Sequence, residues 1–265
     1  MLRIVRNALL TLIPVIVCTS IYFAGDLKNS LILIYPSEIS RLILTSYTSN
    51  FVHYTFEHFI SNMVLFLSCS FASIYLLEKM NLQIFGKMLL AIMVLVPFLC
   101  SGATILWLEF YPSQNQIVCG FSGISSATVG IFLFCLSMFS AFEKQDFNKS
   151  DVSYTYFMAL FSIIYYFLVT YIGAWGYLSV ILPLIPFSLL SWKHRRQIRK
   201  LLTIFSAFLI VAVSVGIIST FLFPKVVIQN GQINVLAHYV GLIFGVFISY
   251  WISLSVILKV ENASG

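Results

Sequence analysis

The chain has 265 residues, of which 60% are hydrophobic and only 9% charged, and its mean hydropathy is +0.98. A soluble domain carries roughly 25% charged residues, so this composition excludes a soluble globular domain, a nucleic-acid binder, a disulfide scaffold and a disordered chain. The net charge of +6 takes its meaning from where the charges fall.

A membrane-crossing helix needs about 20 mainly apolar residues. In chain order, eight such segments occur, at 7–24, 54–77, 86–108, 121–142, 154–172, 175–192, 201–223 and 236–258. The first follows Arg3 and Arg6 and has no small-residue cleavage site behind it, so it reads as a retained span. The fifth and sixth are separated only by Gly173-Ala174-Trp175-Gly176, and Pro183 and Pro186 interrupt the sixth. The alternating polarity of a membrane barrel is absent, as are internal repeats and soluble insertions. The expected fold is therefore an all-α polytopic membrane protein forming one domain, 1–265.

Basic residues set the orientation, because cytoplasmic loops carry the excess of Lys and Arg. With a cytoplasmic N-terminus, the inner segments hold Arg3, Arg6, Lys79, Lys87, Lys144, Lys149, Lys193, Arg195, Arg196, Arg199, Lys200 and Lys259. The outer segments hold Lys28, Arg41 and Lys225. The run Lys193–Lys200 lands inside only if both the fifth and sixth segments cross, which favours eight spans over seven. Both termini then lie in the cytoplasm, with the bilayer as the constant partner and no nucleic acid. The expected location is the plasma membrane of a prokaryote.

The five cysteines, Cys18, Cys69, Cys100, Cys119 and Cys135, are odd in number and contain no C-x-x-C pair, which argues against a metal site or a disulfide framework. They read as small apolar residues.

Ionisable groups at the ends of spans are costly and mark functional candidates. His53, Glu57 and His58 open the second span, His238 opens the eighth, and Asn62 and Ser122 add uncharged polar groups. All fall at ends assigned to the outer side. His58 and Asn62 share one helix face at i, i+4. Gly241 and Gly245 form the small-residue step that lets membrane helices approach closely, with His238 on the same face. Gly123 with Ala127, and Ser126 with Gly130, offer a matching small face on the fourth span. Helices packed through these faces bring Ser122 to an imidazole at 238.

A serine hydroxyl needs an adjacent base to act as a nucleophile, and histidine titrates near neutrality. An oxyanion needs donors, and His58, the Asn62 amide and the Ser122 N–H are available. No Asp stands ready to orient His238, so the arrangement is a dyad. Other intramembrane chemistries lack their parts. H-E-x-x-H is absent, no Asp pair lies within a span, and Gly120-Phe121-Ser122-Gly123-Ile124 is not the G-x-S-x-G elbow.

The segments Phe51–Asn62, Gly120–Gly123 and Ala237–Gly245 carry H-x-x-x-N, G-x-S-G and A-H-x-x-G-x-x-x-G in that order. In these the chain resembles the rhomboid intramembrane serine proteases, over about half its length. The resemblance implies a rhomboid-like bundle, here a six-helix core with two helices inserted before the last two. It implies that Ser122 is the nucleophile and His238 the general base and acid, with His58 and Asn62 as oxyanion donors. Gly120, Gly123, Gly241 and Gly245 pack the helices near the site, and His53 and Glu78 are structural. The family cleaves transmembrane proteins near the membrane surface without metal or cofactor. Its first outer loop, here roughly 25–53, is membrane-embedded. Bacterial members often carry Tyr four residues after the nucleophile, where Ser126 stands here. Two other readings stay open: a catalytically inactive rhomboid-like protein that binds membrane proteins, and a transporter using His53, Glu57, His58 and His238.

Overall fold

A computed structural model describes residues 2–35, 39–110, 116–141, 152, 153, 156, 159, 160 and 235–264. Its helices are α1 (Leu2–Tyr22), α2 (Ile39–Thr48), α3 (Phe56–Lys79), α4 (Phe85–Phe110), α5 (Ser122–Ala141) and α6 (Val235–Ser264). Five of these contain stretches long and apolar enough to cross a membrane: Ile4–Tyr22, Phe56–Lys79, Phe85–Phe110, Ser122–Phe139 and Ala237–Lys259. The chain is a multi-pass helical membrane protein. The five spans match those expected at 7–24, 54–77, 86–108, 121–142 and 236–258. The spans expected at 154–172, 175–192 and 201–223, and the basic run Lys193–Lys200, lie outside the described residues, apart from 156, 159 and 160.

Packing groups the chain into two compact units. The first comprises Met1–Phe132 and Lys225–Ile248, and the second Leu133–Pro224 and Ser249–Gly265. In the second, Tyr156 packs on Tyr250 with ring centroids 4.6 Å apart, and the Ser153 and Tyr250 hydroxyls lie 3.4 Å apart. Every candidate site residue belongs to the first unit.

Within that unit, α1 packs on α3 and α4, and α2 packs on α4. Among the described spans burial differs widely: 78% of the α5 stretch is buried against 22% of the α1 stretch. Hydroxyls inside α5 return to the carbonyl one turn back, as Thr128 Oγ1 does to Ile124 at 3.0 Å and Ser137 Oγ to Leu133 at 2.8 Å. This satisfies them where no water is present.

Segment 25–53 is not an ordinary loop. A 3-10 turn, Gly25–Ser30, leads to strand β1 (Leu33–Tyr35), then α2, then a second 3-10 turn, Ser49–Phe51. Strand β1 pairs antiparallel with β2 (Gln116–Val118), in the register Leu33 to Val118. This short ribbon is an element the helical reading of the sequence did not include. Helix α2 is inverted relative to a water-soluble helix. Ile43 and Leu44 are exposed, while Thr45 and Ser46 are buried. Such a face suits lipid, and with 10 residues at about 1.5 Å each the helix is too short to cross.

Local signals explain where α3 begins and ends. Thr55 caps it by accepting the His58 N–H at 3.3 Å, and Glu57 places a carboxylate in the first turn. At the other end Asn81 adopts a left-handed φ of 57°, a conformation Asn tolerates. The Leu82 N–H then closes onto the Leu77 carbonyl at 2.8 Å.

Candidate active site

Helices α5 and α6 run parallel and touch through glycine. A Cβ on Gly241 would meet the Gly123 carbonyl, and one on Gly245 would meet the Ala127 carbonyl. A Cβ on Gly130 would meet the Leu242 carbonyl. Successive contacts advance four residues on each helix, from 123 to 127 and from 241 to 245, which gives one register along the seam. The small faces expected from the sequence are therefore the faces in contact.

Ser126 lies on the same seam, its Cβ 3.2 Å from the point a Gly241 Cβ would occupy. Its hydroxyl donates to the Ser122 carbonyl at 2.7 Å. One turn back toward the N-terminal ends, Ser126 gives way to Ser122 and Gly241 to His238. The backbone confirms that level: the Ala237 carbonyl oxygen is 3.7 Å from the Cβ position of Gly123. Ser122 is half-buried and His238 buried.

Helix α3 presents its first turns to the same level. A Cβ on Gly120 would come 2.7 Å from His58 Cε1, so the imidazole lies against the Gly120 backbone. Gly120 has a φ of 123°, which only glycine adopts freely, and its N–H donates to the Ser49 carbonyl at 3.0 Å. Asn62 is buried, and its Nδ2 lies 3.2 Å from His53 Nε2. The Phe121 N–H donates to that same nitrogen at 3.3 Å. Ser125 Oγ donates to the Asn62 carbonyl at 3.1 Å, which locks α5 to α3. Thus His53, His58, Asn62, Gly120, Ser122, Gly123, His238, Gly241 and Gly245 fall in one neighbourhood. Glu78 does not. It stands at the far end of α3, about 24 Å from Asn62 at 1.5 Å per residue.

A small cleft opens beside Ser122, lined by residues that include Asn50, Cys100, Ser101, Thr104, Cys119 and Ala237. It has room for about one water molecule. Sequence reading did not single out Asn50, Ser101 or Thr104. Asn50 Nδ2 donates to the Ser46 carbonyl at 2.9 Å and lies 3.3 Å from Ser101 Oγ. Ser101 Oγ donates to the Ser46 carbonyl at 2.6 Å, tying α2 to α4. The available signal was the spacing of Pro97, Ser101 and Thr104, which puts three helix-interrupting or polar residues on one face of the most apolar span.

Burial governs the titration of the groups between the spans. His53 is fully buried. That burial, with the His58 ring beside it, pushes its pKa down to about 3, against the opposing pull of the Phe51 carbonyl. Burial likewise pushes the Cys119 thiol up to about 11, only partly offset by Lys28. Cys119 is therefore a thiol rather than a thiolate at neutral pH. Among the described residues no group of three or more His, Cys, Asp or Glu side chains is arranged to hold a metal ion.

Comparison with family models, with curated proteins and with solved structures finds no match to this chain. The functional reading rests on the residues and their geometry.

Proposed function

We propose that the chain is an intramembrane serine endopeptidase of rhomboid type. It would sit in a prokaryotic plasma membrane with both termini cytoplasmic and the N-terminal ends of α3, α5 and α6 toward the outside. The observation that carries this reading is the glycine seam between α5 and α6, whose register brings the Ser122 and His238 ends of two distant segments side by side. The His58 ring against Gly120 adds a donor-bearing side chain next to the candidate nucleophile.

The reaction follows from these roles. Ser122 Oγ attacks the scissile carbonyl carbon as His238 takes its proton. The negative charge that develops on the carbonyl oxygen is met by the Ser122 N–H and by His58 and Asn62. Collapse of the tetrahedral species breaks the C–N bond, and His238 delivers the proton to the leaving amine. Water, activated by the same imidazole, then releases the acyl group and restores Ser122. A substrate helix must unwind at the site, because its amides are already hydrogen-bonded. Transmembrane proteins with Gly, Pro or small residues near their outer end are therefore the expected substrates.

The test compares the purified chain with Ser122→Ala on a single-span substrate with a Gly- and Ala-rich outer segment. Cleavage by the wild type alone, together with fluorophosphonate labelling at Ser122, supports the reading. Absence of both from a folded wild type overturns it and favours a binding protein.

A further inference from the structure

We propose that His53 is a positioning residue for the reaction, acting through the Asn62 amide and the Phe121 N–H; the proposal rests on the serine-protease reading. His53 is fully buried between the Ser49–Phe51 turn and the start of α3, and is not among the residues that line the cleft beside Ser122. It acts on the reacting groups through others.

The hydrogen bonds fix its chemical state. The Phe121 N–H, 3.3 Å from Nε2, can only donate. Nε2 therefore carries the lone pair, and the ring proton resides on Nδ1. An Asn62 carbonyl oxygen facing that lone pair would be repelled, so the group 3.2 Å away is the Nδ2 amine. One ring nitrogen thus decides which way the Asn62 amide points and leaves its second N–H for another acceptor. The same nitrogen holds the peptide that joins Gly120 to Phe121, immediately before the nucleophile. The His53 ring also meets the His58 ring edge-on, with centroids 5.2 Å apart. All three candidate oxyanion donors therefore rest on His53: Asn62 by a hydrogen bond, His58 by ring contact, and the Ser122 N–H through its neighbouring residue.

The experiment uses the full chain, with active sites counted by fluorophosphonate labelling. His53→Leu retains bulk but cannot accept a hydrogen bond. It should lower kcat at least about 10-fold with KM within about 2-fold, the pattern of a lost transition-state interaction. His53→Gln, whose Oε1 can take the place of Nε2, should restore most of that loss. In an Asn62→Ala background the Leu substitution should cost less, because the part of its effect that runs through Asn62 is already lost while the Phe121 contact remains. If His53→Leu does not fold, Gln against Asn carries the same comparison, since the shorter Asn oxygen reaches only the position of Nδ1. An unchanged kcat per labelled site, a Gln variant no better than Leu or Asn, or an undiminished loss in the Asn62→Ala background overturns the proposal. A wild type that neither cleaves nor takes the probe overturns the protease reading together with it. A cleaving wild type beside an unaffected Leu variant overturns the positioning role alone.

Discussion

His58 turns the Cε1 edge of its ring to Gly120, so close that a methyl group there would come 2.7 Å from that carbon. This contact joins the first turns of α3 to the turn that delivers Ser122. It also exploits a backbone conformation, φ 123°, that side-chain-bearing residues rarely adopt. Gly120→Ala should therefore do two kinds of damage. Backbone strain costs about 1–3 kcal/mol, read as a lowered midpoint of thermal unfolding. Displacement of His58 should reduce cleavage by at least about 100-fold, beyond what the lost stability explains when the assay is run well below that midpoint.

The α5–α6 seam makes a separate prediction. Gly245 meets the Ala127 carbonyl two turns from the candidate dyad, so a substitution there touches no reacting group. Gly245→Val should push the helices apart at a cost of about 1–3 kcal/mol from overpacking. It should also slow fluorophosphonate labelling of Ser122, because the imidazole at 238 withdraws. Gly102, whose Cβ position meets nothing within 4 Å, provides the control. Gly102→Ala should leave the labelling rate unchanged and should not lower the unfolding midpoint, since alanine favours the helix interior.

The candidate dyad should fail as a unit. Ser122→Ala and His238→Ala should each lower turnover by about three or more orders of magnitude, and the double variant should be little worse than either alone. Neither substitution removes a residue from the glycine seam, so unfolding midpoints should stay close to the wild type. Cleavage retained in His238→Ala would remove it as the base.

The depressed pKa of His53 predicts a pH dependence of stability. The folded state holds this imidazole neutral down to about 3, while an unfolded histidine takes up its proton near 6.5. Below about 6.5 the unfolded chain binds the extra proton and the folded chain does not, so stability falls as the pH drops toward 3. His58 faces the same ring and contributes to the depression. The loss of unfolding midpoint between pH 6.5 and 4 should be smaller in His53→Gln than in the wild type. Equal slopes would show that other groups account for the acid sensitivity.

By itself the sequence determined the solvent, the five spans that fall within the described residues, and the contact faces. Span positions follow from run length and hydropathy, because a bilayer demands about 20 apolar residues per crossing. The faces through which α5 and α6 meet are legible because glycine at four-residue spacing is the way two membrane backbones come close, and Gly241 and Gly245 lie on the seam they predicted. Tertiary structure alone decided the partners of groups far apart in the chain. Asn62 and Phe121 converge on one nitrogen of His53, and Ser101 joins α4 to the Ser46 carbonyl of α2 and to Asn50 in the turn that follows it, beside the cleft. It also decided that 33–35 and 116–118 pair as strands. Periodicity describes one segment's own face. A hydrogen bond between segments depends on depth, rotation and register together, and those are fixed only when the helices pack.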